Sequence, residues 1–150
     1  MTFHLSFVRA TASIIGMTAL CGACSAFAHD MNDAKADADA AGEKIAPVLK
    51  QAIPEAPGKN VLIATVTFAP GQDSQPHMHP GSIFAYVTQG HIESQLEGSP
   101  ARVYGPGEAW YEPPGAHHIV ARNASKTEPA QILVFAIAGE HDPIKKPLPH

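Results

Sequence analysis

Three histidines in the middle of the chain have the type and spacing to bind a metal ion. His77 and His79 lie in a His-Met-His-Pro-Gly run, and His118 follows a Pro-Pro-Gly turn about forty residues later. Residues two apart on a strand point to the same face, and each neutral imidazole offers one lone pair. Surface histidines are common in turn-rich chains, but the accompanying glycines and prolines favour a joint site. The trio therefore predicts a site for one divalent ion.

The first 28 residues have the pattern of a signal peptide. Arg9 precedes an apolar run that ends at Leu20, and Ala26-Phe27-Ala28 forms a small-x-small cleavage site. We expect cleavage after Ala28 and a periplasmic or secreted product. The apolar run is shorter than the roughly 20 residues that a membrane span needs, so no span is expected.

Both cysteines of the chain lie inside this predicted leader. Cleavage would remove Cys21 and Cys24, and the mature chain would contain no cysteine. A redox or zinc pair is therefore excluded from the mature protein. The alternative is a lipoprotein anchored at Cys24, although Cys21 is a poor residue for the start of such a signal.

Length and charge predict one domain that does not bind nucleic acid. The mature chain of about 120 residues is large enough for one core. The whole chain has 10 Lys and Arg against 14 Asp and Glu, a net charge of −4, and loss of Arg9 with the leader makes this about −5. No basic stripe is present to bind phosphates.

The segments around the core differ in composition. Residues 29–42 alternate Asp, Ala and Lys without large apolar side chains, which predicts a flexible segment. Residues 43–60 have apolar residues at near-helical spacing after Pro47, which predicts an N-terminal capping segment with a short helix. Residues 61–138 have the composition expected of a β-barrel. Residues 139–150 have the composition expected of a surface tail.

Short β-branched and aromatic runs separated by turn signals predict an all-β sandwich or barrel between residues 61 and 138. The 14 prolines and 12 glycines fit many short elements better than long helices. The predicted strands are 61–68, 83–88, 91–96, 101–104, 109–112, 118–122 and 131–138.

Two motifs give the chain a family resemblance. The first runs from Gly71 through the two histidines to Gly90, and the second runs from Gly107 through the Pro-Pro-Gly turn and His118 to Asn123. In this order and at this distance they resemble the paired motifs of the cupin superfamily over about residues 60–138. The resemblance implies a single-domain jelly-roll barrel of six to eight strands. It also implies a metal held near the mouth by His77, His79 and His118.

One position departs from the family pattern. Ile83, with Phe84 next to it, stands where a glutamate ligand is usual, so three neutral histidines would leave the ion its full double charge. Such an ion should favour an anionic ligand. Three-histidine cupins include iron dioxygenases that act on diketones or thiols. The loss of a ligand can equally mean the loss of metal and of catalysis.

Other polar residues near the motifs have two interpretations each. Glu112, six residues before His118, is either a solvated strand-end carboxylate or a group that accepts a hydrogen bond from a ligand histidine or a proton from substrate. His117 is expected at the rim or surface, since neighbours on a strand face opposite sides. His91 is expected at the surface. Gln95, Tyr86, Tyr104 and Trp110 can line the cavity or belong to the core.

The leading functional prediction is an exported, metal-dependent oxidoreductase of dioxygenase type that acts on a small anionic organic substrate. Fe²⁺ is the favoured ion, with Zn²⁺, Ni²⁺, Cu²⁺ or Mn²⁺ as alternatives, since imidazole ligands do not select iron. The alternative function is a barrel that binds or senses a metal or small ligand without catalysis. A third is an isomerase or cyclase in which Glu112 or a tyrosine moves a proton. The resemblance also implies a homodimer.

Overall fold

The computed structural model describes residues 43–148, and these fold into ten β-strands without a helix. The predicted signal peptide, the flexible segment 29–42 and Cys24 lie outside the described residues. The strands are β1 (Lys44–Ala52), β2 (Lys59–Phe68), β3 (His77–Met78), β4 (Ser82–Gln89), β5 (Ile92–Leu96), β6 (Arg102–Tyr104), β7 (Ala109–Glu112), β8 (His117–Asn123), β9 (Ala130–Gly139) and β10 (Lys146–Pro147). Among the described residues, none forms a helix with the length and apolar character needed to cross a membrane.

The strands form two five-stranded antiparallel sheets. One sheet has the order β1-β2-β9-β4-β7, and the other has the order β10-β3-β8-β5-β6. Every pair in both sheets is antiparallel. The predicted all-β jelly-roll is confirmed, and each of the seven predicted strands corresponds to an observed one within two residues at either end.

Buried and exposed side chains alternate along β4, which shows which of its residues face the core and which face solvent. Ile83, Ala85 and Val87 are buried, whereas Phe84 and Tyr86 between them are exposed. A period of two is what a strand with one face on the core requires. The apolar centre between the sheets is formed by Val66, Phe68, Ala85, Val87, Ile92, Ala130 and Ile132.

The predicted short helix near Pro47 is wrong, because residues 44–52 form strand β1. This strand pairs with β2 along its length, and its register shifts between Pro47 and Leu49. A bulge adds one residue to one strand and interrupts the alternation of faces. The apolar residues around the bulge therefore acquire a spacing that looks helical in the sequence.

The end of the chain contributes to the second sheet. Strand β10 pairs with β3, with Lys146 opposite Met78 and Pro147 opposite His77. Lys145 reaches back to Ser74, with its Nζ 3.0 Å from the hydroxyl oxygen, and lies 3.7 Å from the buried carboxylate of Glu43. The segment predicted as a surface tail thus contacts the strand that carries the first histidine motif.

Candidate metal centre

Two predicted ligand histidines lie directly opposite each other on neighbouring strands. His77 of β3 pairs with His118 of β8, and both side chains are buried. Residues opposite each other in an antiparallel pair project from the same face. The ring centroids of His77 and His118 are 5.0 Å apart, and those of His77 and His79 are 4.9 Å apart. The structure therefore brings the three predicted histidines together.

Glu112 joins these histidines from the other sheet. One ligand atom from each of the four residues lies within 4.8 Å of the others. The Glu112 Oε2 atom is 3.2 Å from His118 Nδ1 and 3.6 Å from His79 Nε2. Glu112 is only 3% exposed, so it is not a solvated strand-end carboxylate. We call His77, His79, Glu112 and His118 the His–Glu cluster.

Hydrogen bonds fix which nitrogen of the first two rings faces the cluster. His77 Nδ1 lies 2.7 Å from the carbonyl oxygen of Gln75, and His79 Nδ1 lies 2.5 Å from that of Ile144. A carbonyl can only accept, so each Nδ1 carries the proton and donates it. The Nε2 atoms of His77 and His79 therefore keep their lone pairs for the cluster.

His118 faces the cluster with its other ring nitrogen, Nδ1. Its Nε2 lies 2.8 Å from the hydroxyl of Ser94, while its Nδ1 faces Glu112. Within the described residues, His118 Nδ1 and Glu112 Oε2 are both buried and have no hydrogen-bond partner. Buried polar atoms are rarely left in this state.

Burial and nearby charged groups shift the pKa values of His77, His79 and Glu112. Burial lowers the pKa of His77 to about 3, with the charges of Lys145 and the other two histidines contributing. Burial likewise lowers the pKa of His79, against the opposing charge of Glu112. For Glu112 burial raises the pKa, but the contacts with His118, His79 and Trp110 together outweigh it and the net pKa is lowered. A neutral imidazole and an ionised carboxylate are the forms that bind a metal.

A cavity of about 280 Å³ lies at the edge of the barrel between β6 and β7, and none of the four cluster residues lines it. Two of its lining residues also contact the cluster: Ser94 through His118, and Trp110, whose Nε1 donates to Glu112 Oε1 at 2.8 Å. The rings of Tyr104 and Trp110 lie 4.8 Å apart in its wall. The remaining lining residues are Leu96, Ser99, Pro100 and Tyr111.

Other polar residues considered from the sequence lie away from the cluster. His117 pairs with Glu97 at 2.8 Å, and His91 is exposed. Tyr86 is 43% exposed on the outer face. Gln95 donates to the backbone oxygen of Ser99. Of the aromatic residues considered from the sequence, Tyr104 and Trp110 line the cavity and Tyr86 does not.

The sequence left three functional contacts unpredicted. Ser94 has no motif around it, and the carbonyl of Ile144 comes from a segment whose side chains gave no signal. Trp110 did carry a signal, since it lies two residues before Glu112 on the same strand and so shares its face. A tryptophan and an acid at that spacing can form a hydrogen bond on one face of a strand.

One known family resembles the barrel in sequence. The family model described as a cupin domain matches residues 64–136. No curated protein matches this sequence significantly.

Several solved structures have a similar fold. A cupin-like protein from Thermotoga maritima is 24% identical, with a TM-score of 0.57 over 71% of this chain and 75% of that one. A polyketide cyclase from Streptomyces resistomycificus is 20% identical, with a TM-score of 0.53 over 72% of each chain. A DMSP lyase from Ruegeria pomeroyi is 25% identical, with a TM-score of 0.51 over 58% of this chain and 42% of that one. The match thus spans less than half of the lyase.

Proposed function

Because residues 64–136 match the family model of a cupin domain, we propose that the His–Glu cluster binds one divalent metal ion and presents it to a small anionic organic molecule. The observation that carries this proposal is the contact between Glu112 Oε2 and His118 Nδ1. The two buried atoms lie 3.2 Å apart, within ion-pair range, but no hydrogen bond of good geometry joins either of them to a described residue. A cation between them would satisfy both.

The donor set suits a transition metal. Three imidazoles and one carboxylate are borderline ligands that Fe²⁺, Zn²⁺, Ni²⁺, Cu²⁺ and Mn²⁺ accept. Carbonyl groups hold two of the rings in a fixed tautomer, and this kind of support strengthens metal sites. The residues present therefore fit the ion that the family resemblance implies.

The charge of the site favours an anionic ligand. With Glu112 ionised and the imidazoles neutral, a divalent ion in the cluster leaves a net charge of about +1. This is lower than the +2 expected from three histidines alone, but it is still positive and lies in a buried setting. An ion that accepts six donors would keep two positions for exogenous ligands.

For the reaction, we propose dioxygenase-type oxidation with Fe²⁺ as the first candidate. The ion would supply the redox chemistry with O₂, and this chain would supply the cluster, the aromatic wall and the exclusion of bulk water. With Glu112 used as a ligand, proton transfer would fall to another group, and Tyr104 in the cavity wall is a candidate.

A second candidate is a lyase or cyclase without redox chemistry. It is supported by the likeness to proteins named as a DMSP lyase and a polyketide cyclase. A third candidate is a barrel that binds zinc or copper without turnover, since imidazole ligands do not select iron.

One set of measurements separates the dioxygenase from the barrel that binds metal without turnover. Metal-free protein is loaded anaerobically with Fe²⁺ or with Zn²⁺, and bound metal is measured together with O₂ uptake in the presence of acetylacetone or cysteine. Uptake with Fe²⁺ alone supports the dioxygenase. Tightly held Zn²⁺ without any turnover supports the binding barrel. Failure to retain either ion contradicts the metal site itself.

Export and self-association stay predictions. N-terminal sequencing of protein from its native compartment should begin at His29, and a lipid-modified Cys24 would contradict this. Light scattering should give the mass of a dimer.

A further inference from the structure

Ser94 connects the His–Glu cluster to the cavity. Its side chain is buried on β5, its Oγ lies 2.8 Å from His118 Nε2, and it lines the cavity. A serine hydroxyl has one proton to donate and can also accept. The direction of its bond with His118 therefore decides whether that proton points at the ring or elsewhere.

In a neutral His118 ring without a bound cation, electrostatics would place the single proton on Nδ1. A lone pair there would face the ionised Glu112 oxygen at 3.2 Å, and two concentrations of negative charge would repel. The proton on Nδ1 avoids this. His118 Nε2 is then an acceptor, and the Ser94 hydroxyl donates to it.

A cation held by His118 Nδ1 reverses this bond. The ion needs the lone pair of Nδ1, so the neutral ring must carry its single proton on Nε2. One proton leaves Nδ1 for solvent and one is taken up at Nε2, so the ring remains neutral. His118 Nε2 then donates to Ser94 Oγ, and the proton of Ser94 must turn away from the ring.

We propose that Ser94 is a ligand-binding residue whose hydroxyl donates into the cavity when the metal ion is held by His118 Nδ1. The proposal rests on the proposed function, because it requires the metal site. The ligand class it implies is a small planar anion with an oxygen acceptor. The positive charge of the ion, which the His118 ring separates from Ser94, favours an anion. The planar body matches the Tyr104–Trp110 wall, and the oxygen accepts from Ser94.

The first test measures the tautomer of His118. Protein labelled with ¹⁵N-histidine is studied by long-range ¹H–¹⁵N correlation before and after loading with Zn²⁺, and His118→Asn identifies the ring signals. We expect protonated Nδ1 without the ion and protonated Nε2 with it. Zn²⁺ binding with Nδ1 still protonated would overturn the inference and leave the proposed function standing. Failure to bind Zn²⁺ would overturn both.

The second test measures binding of benzoate, a planar carboxylate, by calorimetry. We expect Ser94→Ala to weaken benzoate binding to the Zn²⁺-loaded protein about tenfold, the loss that follows from one hydrogen bond to a charged group. Ser125→Ala, on the loop between β8 and β9 and outside the cavity lining, should change it less than about twofold. In metal-free protein Ser94→Ala should have no effect.

Three results of the benzoate experiment would contradict the proposal about Ser94. Equal benzoate affinity of wild type and Ser94→Ala with Zn²⁺ bound would overturn the role of Ser94. An equal loss with and without Zn²⁺ would overturn the dependence on the ion. No benzoate binding by the Zn²⁺-loaded wild type would overturn the ligand class.

Discussion

Ile83 and Glu112 lie directly opposite each other in the β4–β7 pair, with both side chains buried. Opposite residues in an antiparallel pair project from the same face at close distance. Glu112 therefore brings a carboxylate from β7 to the region that residue 83 occupies from β4. The acid that the family resemblance places on one strand is supplied here by its neighbour.

The carboxylate should control metal affinity. Glu112→Gln keeps the size of the side chain but removes its charge, and we expect the dissociation constant for Zn²⁺ to rise at least about tenfold in competition with a chelator. Glu97→Gln is the matched control, because Glu97 pairs with the rim residue His117. Equal affinities of the two variants would show that Glu112 does not bind the ion.

Adjacent histidines should differ in their effect on metal content. His118→Ala removes a buried member of the cluster, whereas His117→Ala removes a partly exposed ring that pairs with Glu97. Elemental analysis should find metal in wild type and His117→Ala and little in His118→Ala. Metal in His118→Ala and little in His117→Ala would show that His117, and not His118, binds the ion.

Trp110 should affect the ion through Glu112. Trp110→Phe retains an aromatic ring in the cavity wall but removes the Nε1–H that donates to Glu112 Oε1. Partners of ligating carboxylates contribute about 10-fold to 100-fold in metal affinity, so we expect a loss near the lower value. Tyr111→Phe, on the exposed face of the same strand, is the control. An unchanged metal affinity of Trp110→Phe in competition with a chelator would refute this role.

The end of the chain should affect metal binding more than stability. Deleting residues 143–150 removes the carbonyl of Ile144 that accepts from His79, together with the two-residue edge strand β10. We expect retained β-structure by circular dichroism and metal affinity at least about tenfold lower. Deleting only residues 148–150 should leave affinity unchanged. Full affinity after the longer deletion would show that His79 does not need this support.

Substitutions at two glycines should distinguish the loss of stability caused by a strained backbone conformation from the loss caused by a steric clash. Gly90 and Gly98 both have positive φ, 69° and 79°. A Cβ at Gly90 would lie 2.6 Å from the oxygen of Pro129, whereas one at Gly98 would meet nothing within 4 Å. Gly98→Ala should lower the free energy of unfolding by about 1–2 kcal/mol. Gly90→Ala should lower it further, and equal losses in urea titrations would contradict this difference.

The sequence predicted most of the fold because local signals and global pairing agree. Alternation in stretches such as 83–88 and the turns between them specify the seven strands of the central barrel. Strand β1 was not predicted because a bulge near Pro47 disguises its alternation. The two-residue strands β3 and β10 are too short to carry a periodic signal.

The site was predictable to the extent that its residues occur in motifs. His77, His79 and His118 come together as expected. The position of Glu112 was left open because it depends on the β4–β7 register, which the sequence does not reveal. Ser94 and Ile144 act through contacts with residues 24 and 65 positions away, which local patterns cannot show.

The most direct test of the metal centre is a crystal structure of the Zn²⁺-loaded protein with anomalous data collected at the zinc edge. The account predicts one strong peak bound by Nε2 of His77 and His79, Nδ1 of His118 and a carboxylate oxygen of Glu112, at about 2.0–2.2 Å. A peak elsewhere, or one at the three histidines with Glu112 turned away, would contradict it.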